Sequence, residues 1–410
     1  MKTILFIVIV FFNVSVINSQ WIKQTSGTAE TLLGVAVTSS QTIYVSGTNG
    51  LILKTVNGGF QWNTQSSGTA NFLRDIYFSD PLTGYIVGES GRILKTTNGG
   101  TNWVSQVSNT TEHLVHVHFI DNQNGLASGQ NGVIVKTTNG GSNWTIQPSG
   151  TTVELAGITF IDNTIACAVG FNGVILRSTN SGTSWTQITS PSTSNLRSVA
   201  FAGTPTGFIC GYNGVILKTT DSGLTWITQT SGTFNNLFAI VNVNNSTAYA
   251  AGTGKIIKST NGGTYWTNQQ ITFTGDLYDI MFTNEISGWT AGQLGTIYGT
   301  NNGGVGIRLI SSEVPDSYEL KQNYPNPFNP TTKLEFGIPN LGFVTLKVYD
   351  MLGNEVATLL NEVKPAGRYE VSFDAVSLTS GIYFYKLVMS PSNPLNAEGY
   401  TDTKKMMLLK

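Results

Sequence analysis

Short apolar runs recur along residues 32–300, each bounded by Gly, Asn, Asp, Ser or Thr. In the representative unit 72–107, four runs follow one another: Phe72 to Phe78 (FLRDIYF), Gly84 to Gly88 (GYIVG), Arg92 to Thr96 (RILKT) and Trp103 to Val107 (WVSQV). Between them lie DPLTG, ESG and TNGGTN, whose residues favour tight turns, so the pattern predicts four short strands. The first run recurs at Leu32–Val37, Leu114–Phe119, Leu155–Phe160, Leu196–Phe201, Leu237–Val241 and Leu277–Phe282, which makes seven copies. These runs do not alternate cleanly between apolar and polar residues, as a sheet with one solvated face would. Strands packed on both faces by neighbouring sheets have that pattern.

A second signal sets the period. An Asn or Asp, a Gly two residues on and a Trp three further form a box ending at Trp62, Trp103, Trp144, Trp185, Trp226 and Trp266, at separations of 41, 41, 41, 41 and 40 residues. Trp21 stands at the same period with no box before it, whereas Asn302 and Gly304 begin a seventh box whose Trp position holds Ile307. A period near 40 with four strands per unit predicts an all-β chain whose residues 20–307 form a seven-bladed β-propeller. The Trp without a box and the box without a Trp predict a ring closed by its termini, with Trp21–Thr25 as the outer strand of the last blade; in the competing arrangement Ile307–Ile310 fills that place. Asn57, Asn98, Asn139, Asn180, Asp221, Asn261 and Asn302 can accept backbone hydrogen bonds within their own turns. The Gly that follows supplies a backbone angle other residues avoid. The six tryptophans then begin outer strands and wedge between blades, each worth a few kcal/mol of burial. The box reads as a structural clip.

After Gly306 the repeat stops. Residues 308–322 read as a linker, and NYPNPFNPTT (Asn323 to Thr332) is too rich in Pro for a helix. Strand-like runs at Lys333–Ile338, Val344–Tyr349, Glu355–Leu360, Arg368–Phe373 and Ile382–Met389 predict a small Ig-like β-sandwich over residues 323–410. At the other end, residues 1–19 read as a secretory signal peptide, with Lys2, an apolar run Ile4 to Phe12 and Ser19 before the cut. That run is too short to span a bilayer and no later stretch is longer, so the chain is expected to leave the cytoplasm without a transmembrane segment.

Charge excludes some partners. Charged residues are 11% of the chain and the net charge is −1, which argues against electrostatic binding to nucleic acid or anionic membranes. Cys167 and Cys210 fall in second strands of neighbouring repeats. Adjacent sheets sit about 10 Å apart, so two separate thiols are expected rather than a disulfide. The three histidines, His113, His116 and His118, share one strand, and His116 and His118 share a face. A metal would need further ligands, for which Glu112 is the nearest acid; inter-blade packing is the expectation, with no metal and no cofactor. Arg74 and Arg197 share one first-strand position, at which the other repeats carry Gly34, Val115, Ala156, Phe238 and Tyr278; two arginines fall short of a sialidase cluster. Glu30, Glu154 and Asp276 precede first strands, and Glu89 lies in a loop on the same face. Carboxylates about 5–10 Å apart could hydrolyse glycosides, but spacing pairs none of them. P-loop, zinc and nucleophile-elbow motifs are absent. Chemically varied loops on a repetitive frame are where recognition concentrates, so Arg74, Arg197, Glu89, Arg92, Tyr212, Glu154 and Asp276 are the ligand-binding candidates.

Two family resemblances follow. Thr219, Asp221, Ser222, Gly223, Thr225 and Trp226 match the Asp-box of bacterial neuraminidase (BNR) repeats, S/T-x-D-x-G-x-x-W; the other copies carry Asn. The fuller unit, L-x-x-[IV]-x-F, G-[YFW]-x-x-G and G-x-[IL]-x-[KR]-[ST]-T-[ND]-G-G, resembles the photosystem II stability and assembly factor family across all repeats, which implies a seven-bladed propeller with a structural box. Tyr324-Pro325-Asn326-Pro327-Phe328-Asn329-Pro330, Val348-Tyr349-Asp350 with Gly353, Ala366-Gly367, Ser380-Gly381-Ile382-Tyr383-Phe384 and the Lys404–Lys410 end resemble the type A sorting domain of the type IX secretion system of Bacteroidetes. That resemblance implies Sec export, then passage over the outer membrane through the type IX machinery, with release or attachment at the surface of a Gram-negative cell. The combined expectation is a secreted or surface-held monomer that acts as a non-enzymatic binding module for a protein or glycan. An extracellular glycoside hydrolase with its site at the channel mouth is the alternative, and an assembly factor for a membrane complex is the third.

Overall fold

The computed structural model describes residues 17–18, 21–203, 205–304, 307–311, 313–375, 378–391 and 399–410. It divides into two compact units, Gln20–Gly304 and Val305–Lys410, the second grouped with Met1–Ser19.

The first unit is a ring of seven four-stranded antiparallel blades. Blade 1 runs Leu32–Val37, Ile43–Gly47, Ile52–Thr55 and Asn63–Gln65, and blades 2 to 6 repeat it. Blade 7 takes three strands from Leu277–Phe282, Gly288–Gly292 and Ile297–Thr300, and its fourth from Ile22–Gln24. There Ile22 pairs with Gly299 and Gln24 with Ile297, so the ring closes through its N-terminal strand. The competing closure by Ile307–Ile310 is overturned. Ile307–Ser311 pairs with Gly367–Asp374 in the other unit instead, because the outer place of blade 7 is already filled. The expected linker 308–322 is corrected for the same reason: it contains most of that strand and a second one, Glu319–Leu320. The signal-peptide expectation falls mostly outside the described residues, of which Ile17–Asn18 pairs with Arg308 and Ile307.

Seven apolar clusters hold the first unit together, one at each blade interface. Tyr85, Val87 and Ile93 of blade 2, for example, pack on Leu114, Val117, Phe119 and Trp144 of blade 3. Trp21 fills the blade 6–7 interface, fully buried, edge-on to Tyr249 at 6.4 Å and Phe282 at 5.7 Å between ring centroids. Trp144, Trp226 and Trp266 are likewise buried, whereas Trp62, Trp103 and Trp185 are half-buried.

Every box has one hydrogen-bond pattern. The hydroxyl of Thr55, Thr96, Thr137, Ser178, Thr219, Ser259 or Thr300 donates to the Oδ1 of the Asn or Asp two residues on, at 2.7–3.0 Å. It accepts from the Gly N–H four residues on, at 2.8–3.0 Å. The preceding blade then grips the turn. Tyr44 Oη and Lys54 Nζ both donate to the Gly99 carbonyl (2.9 and 2.7 Å), Tyr85 and Lys95 to Gly140, and Tyr249 and Lys258 to Gly303.

The second unit stacks two antiparallel sheets. One orders Ile307–Ser311, Gly367–Asp374, Thr331–Ile338 and Glu319–Leu320; the other orders Glu355–Lys364, Gly342–Tyr349, Gly381–Pro391 and Tyr400–Leu408. Leu334, Phe336, Leu346, Val348, Tyr369, Leu387 and Met406 are among the buried residues between them. The Pro-rich segment is pinned by Asn323, whose Nδ2 donates to the Pro325 carbonyl and to Thr332 Oγ1, and by Phe328, which is buried in the same core.

Closure through a buried indole makes a stability prediction. Trp21→Ala should cost the propeller about 3–5 kcal/mol, the range for emptying a large aromatic site, measured by urea denaturation. A loss under about 1 kcal/mol would contradict a closure that depends on that ring.

Candidate functional site

Each first strand carries a β-bulge at the same place. Pairing slips between the first and third residues: Leu32/Gly34, Leu73/Asp75, Leu114/His116, Leu155/Gly157, Leu196/Ser198, Leu237/Ala239 and Leu277/Asp279. A bulge leaves its extra residue unpaired and re-aims its side chain. The bulged residues are Leu33, Arg74, Val115, Ala156, Arg197, Phe238 and Tyr278, and all seven line one pocket of about 290 Å³. The expectation of Gly34 in this series is corrected: Leu33, next after the leading Leu32 and 41 residues before Arg74, holds the bulged place, and Gly34 the one after it.

Two arginines frame the pocket in matching surroundings. Arg74 lies 3.5 Å from Glu89 and 5.8 Å over the Phe72 ring. Arg197 lies 3.6 Å from Glu154 and over Phe171 (5.8 Å) and Phe238 (5.9 Å). Both ion pairs are longer than a charge-assisted hydrogen bond of about 2.7–2.9 Å. Aromatic rings continue round one side, from Phe171 to Tyr212 (6.3 Å), Phe238 (6.0 Å) and Tyr278 (5.2 Å). Beside them Asp276 is fixed by Thr253 Oγ1 (2.6 Å), Gln293 Nε2 (3.1 Å) and Tyr278 Oη (3.3 Å).

The third residues supply Asp75, His116, Ser198, Ala239 and Asp279 to the same pocket. Asp75 accepts from its neighbour Ile76 N–H and, across the interface, from Val117 N–H of blade 3 (both 2.8 Å). Asp279 accepts from Ile280 N–H (2.8 Å) and from Val35 N–H of blade 1 (2.7 Å). Burial pushes both carboxyls up, to about 7, and the charge of Asp75 adds to the effect on Asp279. Burial lowers His116, so its ring is neutral near pH 7. Burial and then His116 push His118 down to about 3; its Nδ1 accepts from Phe160 N–H and its ring lies against Tyr77.

Of the anticipated residues, the structure therefore brings Arg74, Arg197, Glu89, Glu154, Tyr212 and Asp276 to the mouth. Arg92 is a correction: it turns outward to Ser105 Oγ and Asn71 Oδ1 and lines a shallow groove between blades 2 and 3. Glu30 is occupied by Thr48 Oγ1 and Asn49 Nδ2. Asp75 and Asp279 were missed, although a shared place two residues after the strand's leading Leu could have found them. Cys167 and Cys210 are separate buried thiols that burial pushes up. Among the described residues no group of three or more His, Cys, Asp or Glu could hold a metal.

The sign of the carboxyl shifts gives a pH test. A folded carboxyl near pH 7 against about 4 unfolded binds its proton more tightly when folded. Its contribution to stability is thus complete below about pH 4 and is lost as pH rises through 7; the lowered histidines act in the opposite sense. Comparing Asp279→Asn with the parent isolates the carboxyl. The parent should lose stability relative to the variant between pH 5 and pH 8 in urea melts, and a difference that is flat or grows the other way would refute the shift.

Known proteins share both parts of this fold. The profile of the family described as photosynthesis system II assembly factor YCF48 matches residues 61–193 and 178–305, and that of the secretion system C-terminal sorting domain matches residues 322–393. No curated protein matches the chain. Among solved structures, YCF48 bound to D1 peptide is 18% identical, covers 68% of this chain and 94% of its own, and has a TM-score of 0.58. YCF48 from Cyanidioschyzon merolae is 17% identical, with 68% and 98% covered and a TM-score of 0.58. The WD40 β-propeller domain of Doa1 is 10% identical, with 68% and 96% covered and a TM-score of 0.57. These likenesses carry the propeller fold alone. The sorting domain supports a secreted or cell-surface protein of Bacteroidetes-type bacteria. Box, blade count and a match across more than half its length agree, and the chain belongs to the YCF48-like photosystem II assembly factor family, here joined to a type IX sorting domain.

Proposed function

We propose that this exported propeller is a non-enzymatic binding module that receives a peptide segment of a partner protein at its channel mouth. The observation that carries the reading is the convergence of all seven bulged side chains on one pocket of about 290 Å³, lined by aromatic rings and two arginines. A concave pocket in which aromatic rings and a few polar groups converge is the usual form of a binding site. The rings and the hydrogen-bonded Asp276 cluster are already ordered, so little side-chain freedom is left to lose on binding. A structural neighbour, YCF48, is seen with D1 peptide, and a peptide is accordingly favoured over a glycan as ligand. The assembly-factor reading is a special case of the same site. The sorting domain engages the type IX machinery during export, and outside the cell the mouth is the recognition surface.

One observation favours the glycoside hydrolase alternative: two carboxyls with raised pKa, Asp75 and Asp279, line the pocket. Each is also bonded to two backbone amides, that of its own neighbour and one of the next blade, so both oxygens of each carboxyl already accept a hydrogen bond. Turnover of aryl glycosides by the full-length protein, abolished by Asp75→Asn, would replace the binding reading.

The binding test is occlusion. Val115 lies at a bulged position, and Val115→Trp should fill the mouth, abolish capture of peptides selected on the parent and leave the unfolding midpoint within a few degrees. Undiminished capture by a folded Val115→Trp protein would move the site elsewhere.

A further inference from the structure

The mouth looks basic in sequence because its bulge series includes two arginines. Its charge balance in three dimensions is the reverse. Arg74 is matched by Glu89 and Arg197 by Glu154. Asp75 and Asp279 remain, and among the described residues no Lys or Arg nitrogen lies within 4 Å of either; the basic group at that range is His116, whose Nδ1 is 3.7 Å from Asp75 Oδ2. That separation is too long for a hydrogen bond.

His116 adds an independent observation. It is hydrogen-bonded to the backbone of Ile158, yet its Nδ1 is buried with no hydrogen-bond partner. A neutral ring that donates to a carbonyl through one nitrogen presents the other as an acceptor. The pocket floor therefore offers an imidazole nitrogen with no donor and two carboxyls, each oxygen of which accepts one backbone N–H and keeps a further lone pair; once ionised, the pair presents acceptors only. A buried acceptor without a donor is destabilising, and a buried carboxyl without a cation more so. The walls above are the rings of Phe72, Phe238 and Tyr278, which suit an aliphatic stem and a cationic tip.

We propose that the group inserted into the mouth is a primary ammonium, carried by a lysine side chain of the bound peptide, which the Asp75–Asp279–His116 floor receives. Its three N–H donors answer three acceptors, and its alkyl stem lies along the rings. The arginines, each held back by its glutamate, then contact the flanking peptide rather than the inserted group. This inference rests on the reading of the mouth as a peptide site.

The test titrates the full-length protein with N-acetyl-lysine methylamide and with its norleucine and glutamate counterparts, followed by NMR or calorimetry. The lysine probe should bind at least about tenfold more tightly than the norleucine probe, the weight of one charge-assisted hydrogen bond, and the advantage should disappear in Asp279→Asn. An alanine amide with a free α-amine that binds as tightly as the lysine probe would assign the ammonium to a chain terminus and overturn the lysine assignment. Equal binding of lysine and norleucine, or preference for glutamate, overturns the proposal without any variant having to fold. If selected peptides are captured and lost in Val115→Trp but show no lysine dependence, the mouth remains the binding site and the cation inference alone falls. If no peptide is captured, both fall.

Discussion

One hydroxyl organises each box, and through it each blade interface. By accepting from a Gly N–H and donating to an Asn or Asp side chain, it holds two successive residues in left-handed or near-left-handed turns. In blades 2, 3 and 7 that turn exposes a backbone carbonyl to the preceding blade, where a tyrosine hydroxyl and a lysine ammonium close on it. The arrangement is demanding: burial lowers Lys258 to about 8, so the carbonyl it meets at Gly303 matters. Variation respects the constraint. Ser181 and Ser222 keep positive φ where Gly is usual, at about 1–2 kcal/mol each, and Arg177 Nε reaches the Ser222 carbonyl in place of a lysine. Serine replaces threonine at 178 and 259 with the hydroxyl bonds intact.

Because the boxes and the interface clusters consume the repeated residues, recognition is left to positions the repeat does not fix. In each first strand the leading Leu is fully buried, as are or nearly are the fourth-position Val35, Ile76, Val117, Ile158, Val199, Ile240 and Ile280. The second residue lines the pocket because the bulge lifts it out of the ladder, and the third, where pairing resumes, lines it in five blades; at neither place do two neighbouring blades agree. A symmetric frame thus presents an asymmetric pocket, aromatic across blades 4 to 7 and more polar around Arg74 and Glu89.

Much of this was legible in the sequence. The strands could be located because the boxes and turn residues punctuate them, and the closure because Trp21 and Asn302 are two parts of one unit set at opposite ends. Four features were hidden. The bulge itself leaves no mark in the spacing: counting 41 residues back from Arg74 reaches Leu33, but nothing in the period says that this residue leaves the ladder. The direction of Arg92 depends on Asn71, just before the first strand, and on Ser105 in the fourth, which no spacing encodes. The strand Ile307–Ser311 finds its partner about sixty residues further on, at Gly367–Asp374, so local pattern could not distinguish it from a linker. The floor carboxyls were overlooked because Asp75 and Asp279 become neighbours only when blades 7, 1 and 2 meet.

Those carboxyls are not required by the frame that holds them. Asp75 and Asp279 each bond an amide of the next blade, but blades 1, 4 and 6 carry Gly34, Gly157 and Ala239 at the same position and their interfaces form without such a bond. Where the bond is useful, a neutral hydroxyl suffices: Ser198 Oγ accepts from Ile240 N–H at 3.3 Å. An ionisable group in that place carries a desolvation cost that serine avoids. The cost is visible in the raised carboxyls themselves. Two aspartates at sites where glycine, alanine and serine close the ring equally well are therefore explained by what they face rather than by what they hold, and what they face is the pocket.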